Sequence, residues 1–197
     1  MAKTDGSGRY LYVFAHGAGA GMHHPFMERA AQALGAQGIA THRYEFPYMK
    51  AAVAQAAVRE AVRAAARAAP DVPLLAGGKS FGGRMTSQAQ AAEPLPGVRG
   101  LVFFGFPLHP PGRPGIERAE HLSTIEIPML FLQGTRDEFA KLDLLQGVVK
   151  RLGGRATLHL IEEGDHSFKV PKRTNKTERD VLEELATTIR QWAEQHG

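Results

Sequence analysis

Leu74-Leu75-Ala76-Gly77-Gly78-Lys79-Ser80-Phe81-Gly82-Gly83-Arg84 is a short apolar run, a serine between glycines, and then a segment able to begin a helix. A serine at so tight a strand-to-helix turn is held in a strained backbone conformation, which only very small residues two positions to either side accommodate. Gly78 and Gly82 are those residues. Such a turn lifts the Ser80 hydroxyl clear of a sheet and aims the amide of Phe81, at the start of the helix, at whatever the hydroxyl attacks. With glycine near 7% of average composition and serine similarly common, the pentapeptide arises by chance in about one chain of this length in fifteen. The plain alternative is a serine that merely caps a helix. A nucleophile elbow therefore needs a base, an acid to orient that base, and a second amide donor elsewhere in the chain.

Those partners must come from one sheet. The run 9–15 is rich in aromatic and β-branched residues, and it and the short runs 39–44, 74–77, 98–104, 129–133 and 156–161 are read as strands. Between them lie helical stretches: Pro25 to about Gln37 with Gly38 as its stop, the alanine-rich 51–69, 81–92, a short one at 116–122, and 141–152; a last helix spans about 175–195. This alternation predicts an α/β chain, a three-layer αβα sandwich around a mostly parallel sheet of about six strands. A length of 197 residues suits a single domain over 1–197. Residues 1–8 are polar and are expected to form a flexible N-terminus. The proline-rich 105–115 loop is too short for a separate lid domain.

In parallel sheets ligands bind beyond the carboxyl ends of the strands. His16, Ser80, Asp137 and His166 each follow a predicted strand, so all of them share that edge. Among nine histidines, His166 in the tight context Gly164-Asp165-His166-Ser167-Phe168 is the candidate base, since His159 lies within a strand and His196 near the C-terminus. Asp137 is the candidate acid, with Glu138 as an alternative and Asp165 as a turn residue or competitor for the imidazole. The chain order Ser80, Asp137, His166 is that of one particular fold. The glycine-rich His16-Gly17-Ala18-Gly19-Ala20-Gly21 supplies a second oxyanion donor, the amide of Ala18, beside that of Phe81.

Here the sequence resembles the α/β-hydrolase superfamily, specifically its small cap-less, dienelactone-hydrolase-like serine hydrolases. The resemblance rests on His16-Gly17-Ala18-Gly19, Gly78-Lys79-Ser80-Phe81-Gly82-Gly83, Phe106-Pro107-Leu108-His109-Pro110-Pro111-Gly112, Gln133-Gly134-Thr135-Arg136-Asp137 and Gly164-Asp165-His166-Ser167-Phe168. It implies a sheet that begins at what is usually the third strand, with the leading antiparallel hairpin reduced or absent. Two departures matter. Dienelactone hydrolase proper uses a cysteine nucleophile, and this chain has no cysteine, so that substrate does not transfer. Where the small relatives commonly carry an acidic residue near the first loop, this chain has His23.

Rival chemistries fit less well. A phosphate-binding loop ending in Gly78-Lys79-Ser80 needs a glycine where Pro73 stands. A dinucleotide fingerprint at Gly17-Ala18-Gly19 fails at Met22, where the third glycine belongs, and leaves Asp137 and His166 without a role. Adjacent His23 and His24 lack a carboxylate at ligand spacing, so no metal is expected. The net charge of +4 is spread over Arg59, Arg63 and Arg67 and over Lys169, Lys172, Arg173 and Lys176, without interleaved aromatics, so no nucleic-acid partner is expected. No apolar stretch approaches a membrane span or a secretory core, which makes the cytoplasm the expected location.

The sequence thus predicts an acyl hydrolase that needs no cofactor and takes a small-molecule acyl substrate and water. Its pocket is expected to be open, walled by His16, Gly19, Met22, Tyr48, Phe106 and Phe139. The rival of a different class is the same fold retained as a catalytically idle interaction module.

Overall fold

The computed structural model describes residues 2–47 and 50–196. Strands β1 (Ala2–Asp5), β2 (Tyr10–Ala15), β3 (Ile39–Tyr44), β4 (Leu74–Lys79), β5 (Val98–Phe104), β6 (Met129–Gly134) and β7 (Ala156–Ile161) form one sheet. Its order is β1-β3-β2-β4-β5-β6-β7. Only the pairing of β1 with β3 is antiparallel. The helices are α1 (Pro25–Ala36), α2 (Ala51–Ala68), α3 (Phe81–Ala92), α4 (Leu142–Leu152) and α5 (Glu178–His196). The short helix expected at 116–122 is a 3-10 segment, Glu117–Thr124.

Alternation of side chains along each strand builds two cores. Leu11, Val13, Leu101, Phe103, Met129 and Phe131 face one layer, with the buried sides of α2, α3 and α4. Tyr12, Phe14, Val102, Phe104, Leu130 and Leu132 face the other, with α1 and α5. A strand buried on both faces reads as a continuous apolar run, which is why the central strands were legible. In α2, Ala54, Val58, Ala61, Val62 and Ala65 make the buried stripe at helical spacing.

Two boundaries differ from expectation. Ala2-Lys3-Thr4-Asp5 is not a flexible tail: it pairs antiparallel along β3, from Ala2 opposite Tyr44 to Asp5 opposite Thr41. Arg43 secures it by donating from Nε and Nη2 to Asp5 Oδ2 at 3.2 and 2.7 Å. The leading hairpin is thereby reduced to one edge strand. β4 runs two residues further than Gly77, because Gly78 and Lys79 stay paired with Phe103 and Phe104.

Candidate active site

The sheet's carboxyl edge assembles the site around Ser80. Close approach explains the flanking glycines: a Cβ on Gly78 would lie 2.3 Å from the Ala15 carbonyl oxygen, and one on Gly82 2.5 Å from that of His16. With both reduced to hydrogen, α3 starts against β2 and its loop. Ser80 itself sits at φ 50°, ψ −114°, a region costly for any residue with a Cβ. Its N–H donates to Phe104 O at 3.0 Å, and its carbonyl accepts from Arg84 N–H at 3.1 Å.

His166 Nε2 lies 2.8 Å from Ser80 Oγ, and its Nδ1 lies 2.7 Å from Asp137 Oδ2. A carboxylate only accepts, so Nδ1 carries the ring proton and Nε2 is left to accept from the serine hydroxyl. Asp137 is buried, in the turn after β6. Its Oδ1 accepts from Phe139 N–H at 2.8 Å, and its Oδ2 also accepts from the Gln133 side-chain amide. Gln133 Oε1 in turn accepts from Phe106 N–H at 3.0 Å. The loop that carries His166 is held by Asp165, whose Oδ1 accepts from the N–H groups of Ser167 and Lys169 at 2.8 and 2.9 Å. Asp165 is therefore a turn residue, and Glu138 is exposed. Phe139 packs its ring against His166 with centroids 4.3 Å apart.

A cavity of about 480 Å³ opens beside Ser80 and His166. Ala18 lines it together with Gly17 and Ala20. Phe81 opens α3, where first-turn amides have no acceptor within the helix.

A family model of the alpha/beta hydrolase domain matches residues 8–194. The chain belongs to this family. Solved structures with the same fold include an a/b serine hydrolase without lid from Xanthomonas campestris, at TM-score 0.73 and 20% identity, covering 98% of this chain and 88% of that one. A dienelactone hydrolase from Anabaena variabilis matches at TM-score 0.73 and 18% identity, covering 99% and 92%. A monoacylglycerol lipase from Paleococcus ferrophilus matches at TM-score 0.73 and 14% identity, covering 100% and 99%. Among the described residues, no cap domain covers the sheet edge.

The expected pocket wall needs correction. Of the described residues of that set, only Phe139 lines the cavity. His16 is fully buried: its Nδ1–H donates to Gly17 O at 2.9 Å and its Nε2 accepts from Phe46 N–H at 3.1 Å, so it shapes the first loop from behind. Met22 is buried too, its N–H donating to Glu45 Oε1 and its carbonyl accepting from Arg43 Nη1, both at 2.7 Å. Phe106 packs edge-on to Phe103 and Phe131 in the α2–α3–α4 core. Gly19 is exposed on the loop and does not line the cavity. Tyr48 falls outside the described residues.

The wall comes instead from His24, Phe26, Met27 and Arg29 at the start of α1, from Lys79, and from Ser167, Lys169 and Glu178. Phe26 is buried in the core between α1 and α5, and the same first turn of α1 also borders the cavity. His24 caps α1 by accepting from Phe26 N–H at 3.2 Å, while His23 is exposed, 3.3 Å from Glu28 Oε1. The acid that grips the first loop is Glu45, from the end of β3.

Proposed function

We propose that the chain is a serine hydrolase of ester or related acyl bonds. The observation that carries this reading is the unbroken relay from Ser80 Oγ through His166 to a buried Asp137 carboxylate, with spacings of 2.8 and 2.7 Å. Ser80 attacks the acyl carbonyl while His166 Nε2 takes its proton. Asp137 keeps the imidazole in the competent tautomer and stabilises the imidazolium. The amides of Phe81 and Ala18 receive the oxyanion, His166 returns the proton to the leaving group, and water, activated by the same imidazole, releases the acid.

The open cavity favours small or extended acyl groups over a fully enclosed substrate. Intact-mass analysis after treatment with a fluorophosphonate tests the reading, followed by peptide mapping and turnover of p-nitrophenyl acetate. One adduct on Ser80 and a rate lowered about 10⁴- to 10⁶-fold in Ser80→Ala are expected. An unlabelled Ser80 with no turnover overturns the reading in favour of an idle interaction module.

A further inference from the structure

The ester chemistry leaves Lys79 unused, although it directly precedes the nucleophile. Its Nζ donates to the backbone carbonyl of His166 at 2.6 Å. The ammonium lies near the rings of Phe26 and Phe168, 5.9 and 5.6 Å from their centroids. It occupies a slot that Gly105 keeps open. A Cβ on Gly105, whose φ is +67°, would lie 3.0 Å from Lys79 Nζ and 3.4 Å from both Asp137 Oδ2 and His166 Cε1. The slot thus touches the ammonium, the acid and the base together. Among the described residues, no carboxylate lies within ion-pair distance of Lys79.

We propose that Lys79 is a positioning residue for the general base: its ammonium, seated in the Gly105 slot, holds the His166 carbonyl and so fixes the imidazole over Ser80. Nucleophile and base are then gauged from consecutive residues of one strand end. The inference rests on the hydrolase reading above. It also ties the base to a titratable donor. Burial lowers the Lys79 pKa to about 8, against the opposing pull of Asp137 and Asp165. Those two carboxylates and His166 face it from the β6 and β7 loops, and His24, Arg29, Lys169 and Glu178 share the cavity wall. Below that pKa the bond to His166 is charge-assisted; above it a weaker neutral amine remains.

The test combines p-nitrophenyl acetate kinetics from about pH 6 to about pH 10 with NMR titration of the His166 Cε1 proton, in the wild type, Lys79→Met and Lys79→Arg. In the wild type, kcat falls on the alkaline side of about pH 8, and the His166 resonance inflects there as well. Lys79→Met lowers kcat by about ten- to a hundredfold with KM within about threefold, since loose positioning costs turnover rather than binding. It also loses the alkaline limb and the NMR inflection. Lys79→Arg recovers most of kcat and shows no limb near pH 8. A methionine variant that keeps the wild-type alkaline limb, or an arginine variant no better than methionine, overturns the proposal. Should the methionine variant fail to fold, a wild-type His166 resonance without an inflection near pH 8 does the same. A wild type that neither turns over ester nor reacts with fluorophosphonate sinks the hydrolase reading instead, and the NMR titration still decides whether Lys79 holds His166.

Discussion

Replacing Ser80 with glycine rather than alanine should raise stability, although the proposed mechanism leaves both variants inactive. The serine sits at φ 50°, ψ −114°, and a residue with a Cβ held in such a region costs on the order of 1–3 kcal/mol. Both variants lose the 2.8 Å bond to His166 Nε2. Both keep the backbone bonds from Ser80 N–H to Phe104 O and from Arg84 N–H to Ser80 O. The comparison therefore isolates the backbone. Glycine relieves the strain, but its unfolded chain is freer by roughly 0.5–1 kcal/mol relative to alanine. The difference leaves Ser80→Gly more stable than Ser80→Ala by about 0.5–2 kcal/mol, or a few degrees of Tm for a chain of this size. Urea and thermal unfolding of the two variants measure it. A glycine variant equal to or weaker than the alanine one refutes the claim that the elbow stores backbone strain.

Asp137→Asn should leave the fold in place but slow acylation by about 10⁴-fold, because the amide no longer enforces the imidazole tautomer. Glu138→Gln, at an exposed neighbour, should change the rate by less than about twofold; stopped-flow turnover of an activated ester compares them. His121 gives a pH signature away from the site. Burial, with Arg84 nearby, lowers its pKa to about 4, while its Nε2 lies 2.8 Å from Ser87 Oγ. An unfolded histidine titrates near 6.5, so between that value and about 4 the unfolded chain binds the extra proton and stability drops as pH falls. Urea midpoints across that window should decline more shallowly in His121→Gln; an unchanged slope rejects the assignment.

The geometry around Ser80 was legible because each of its side chains follows the carboxyl end of a strand that the sequence pattern marks, β4 and β6 in the buried middle of the sheet and β7 at its half-buried edge. Ser80, Asp137 and His166 converge because their strands β4, β6 and β7 run parallel. The pocket wall was not legible for a related reason. Phe26, in the first turn of α1, and Phe106, just past β5, are both buried aromatics, and only the packing of the loops decides that the first borders the cavity while the second enters the opposite core. β1 escaped because Ala2-Lys3-Thr4-Asp5 has neither apolar alternation nor β-branched density. Its order comes from backbone pairing and from Arg43, far away in sequence. The role of Lys79 was not legible, since nothing near it in the chain announces a carbonyl on another loop as its partner.

Phe26 and Met27 line the cavity and also lie in the core between α1 and α5, at 8% and 1% exposure. Enlarging the cavity through either one therefore removes mass from the hydrophobic core of that layer. Phe26→Ala would cost roughly 3–5 kcal/mol, out of a total of about 5–15 kcal/mol for a typical domain. A laboratory lineage selected for bulkier ligands would have to enter through Phe139 or Lys169 at the rim, or acquire compensating stability before touching α1.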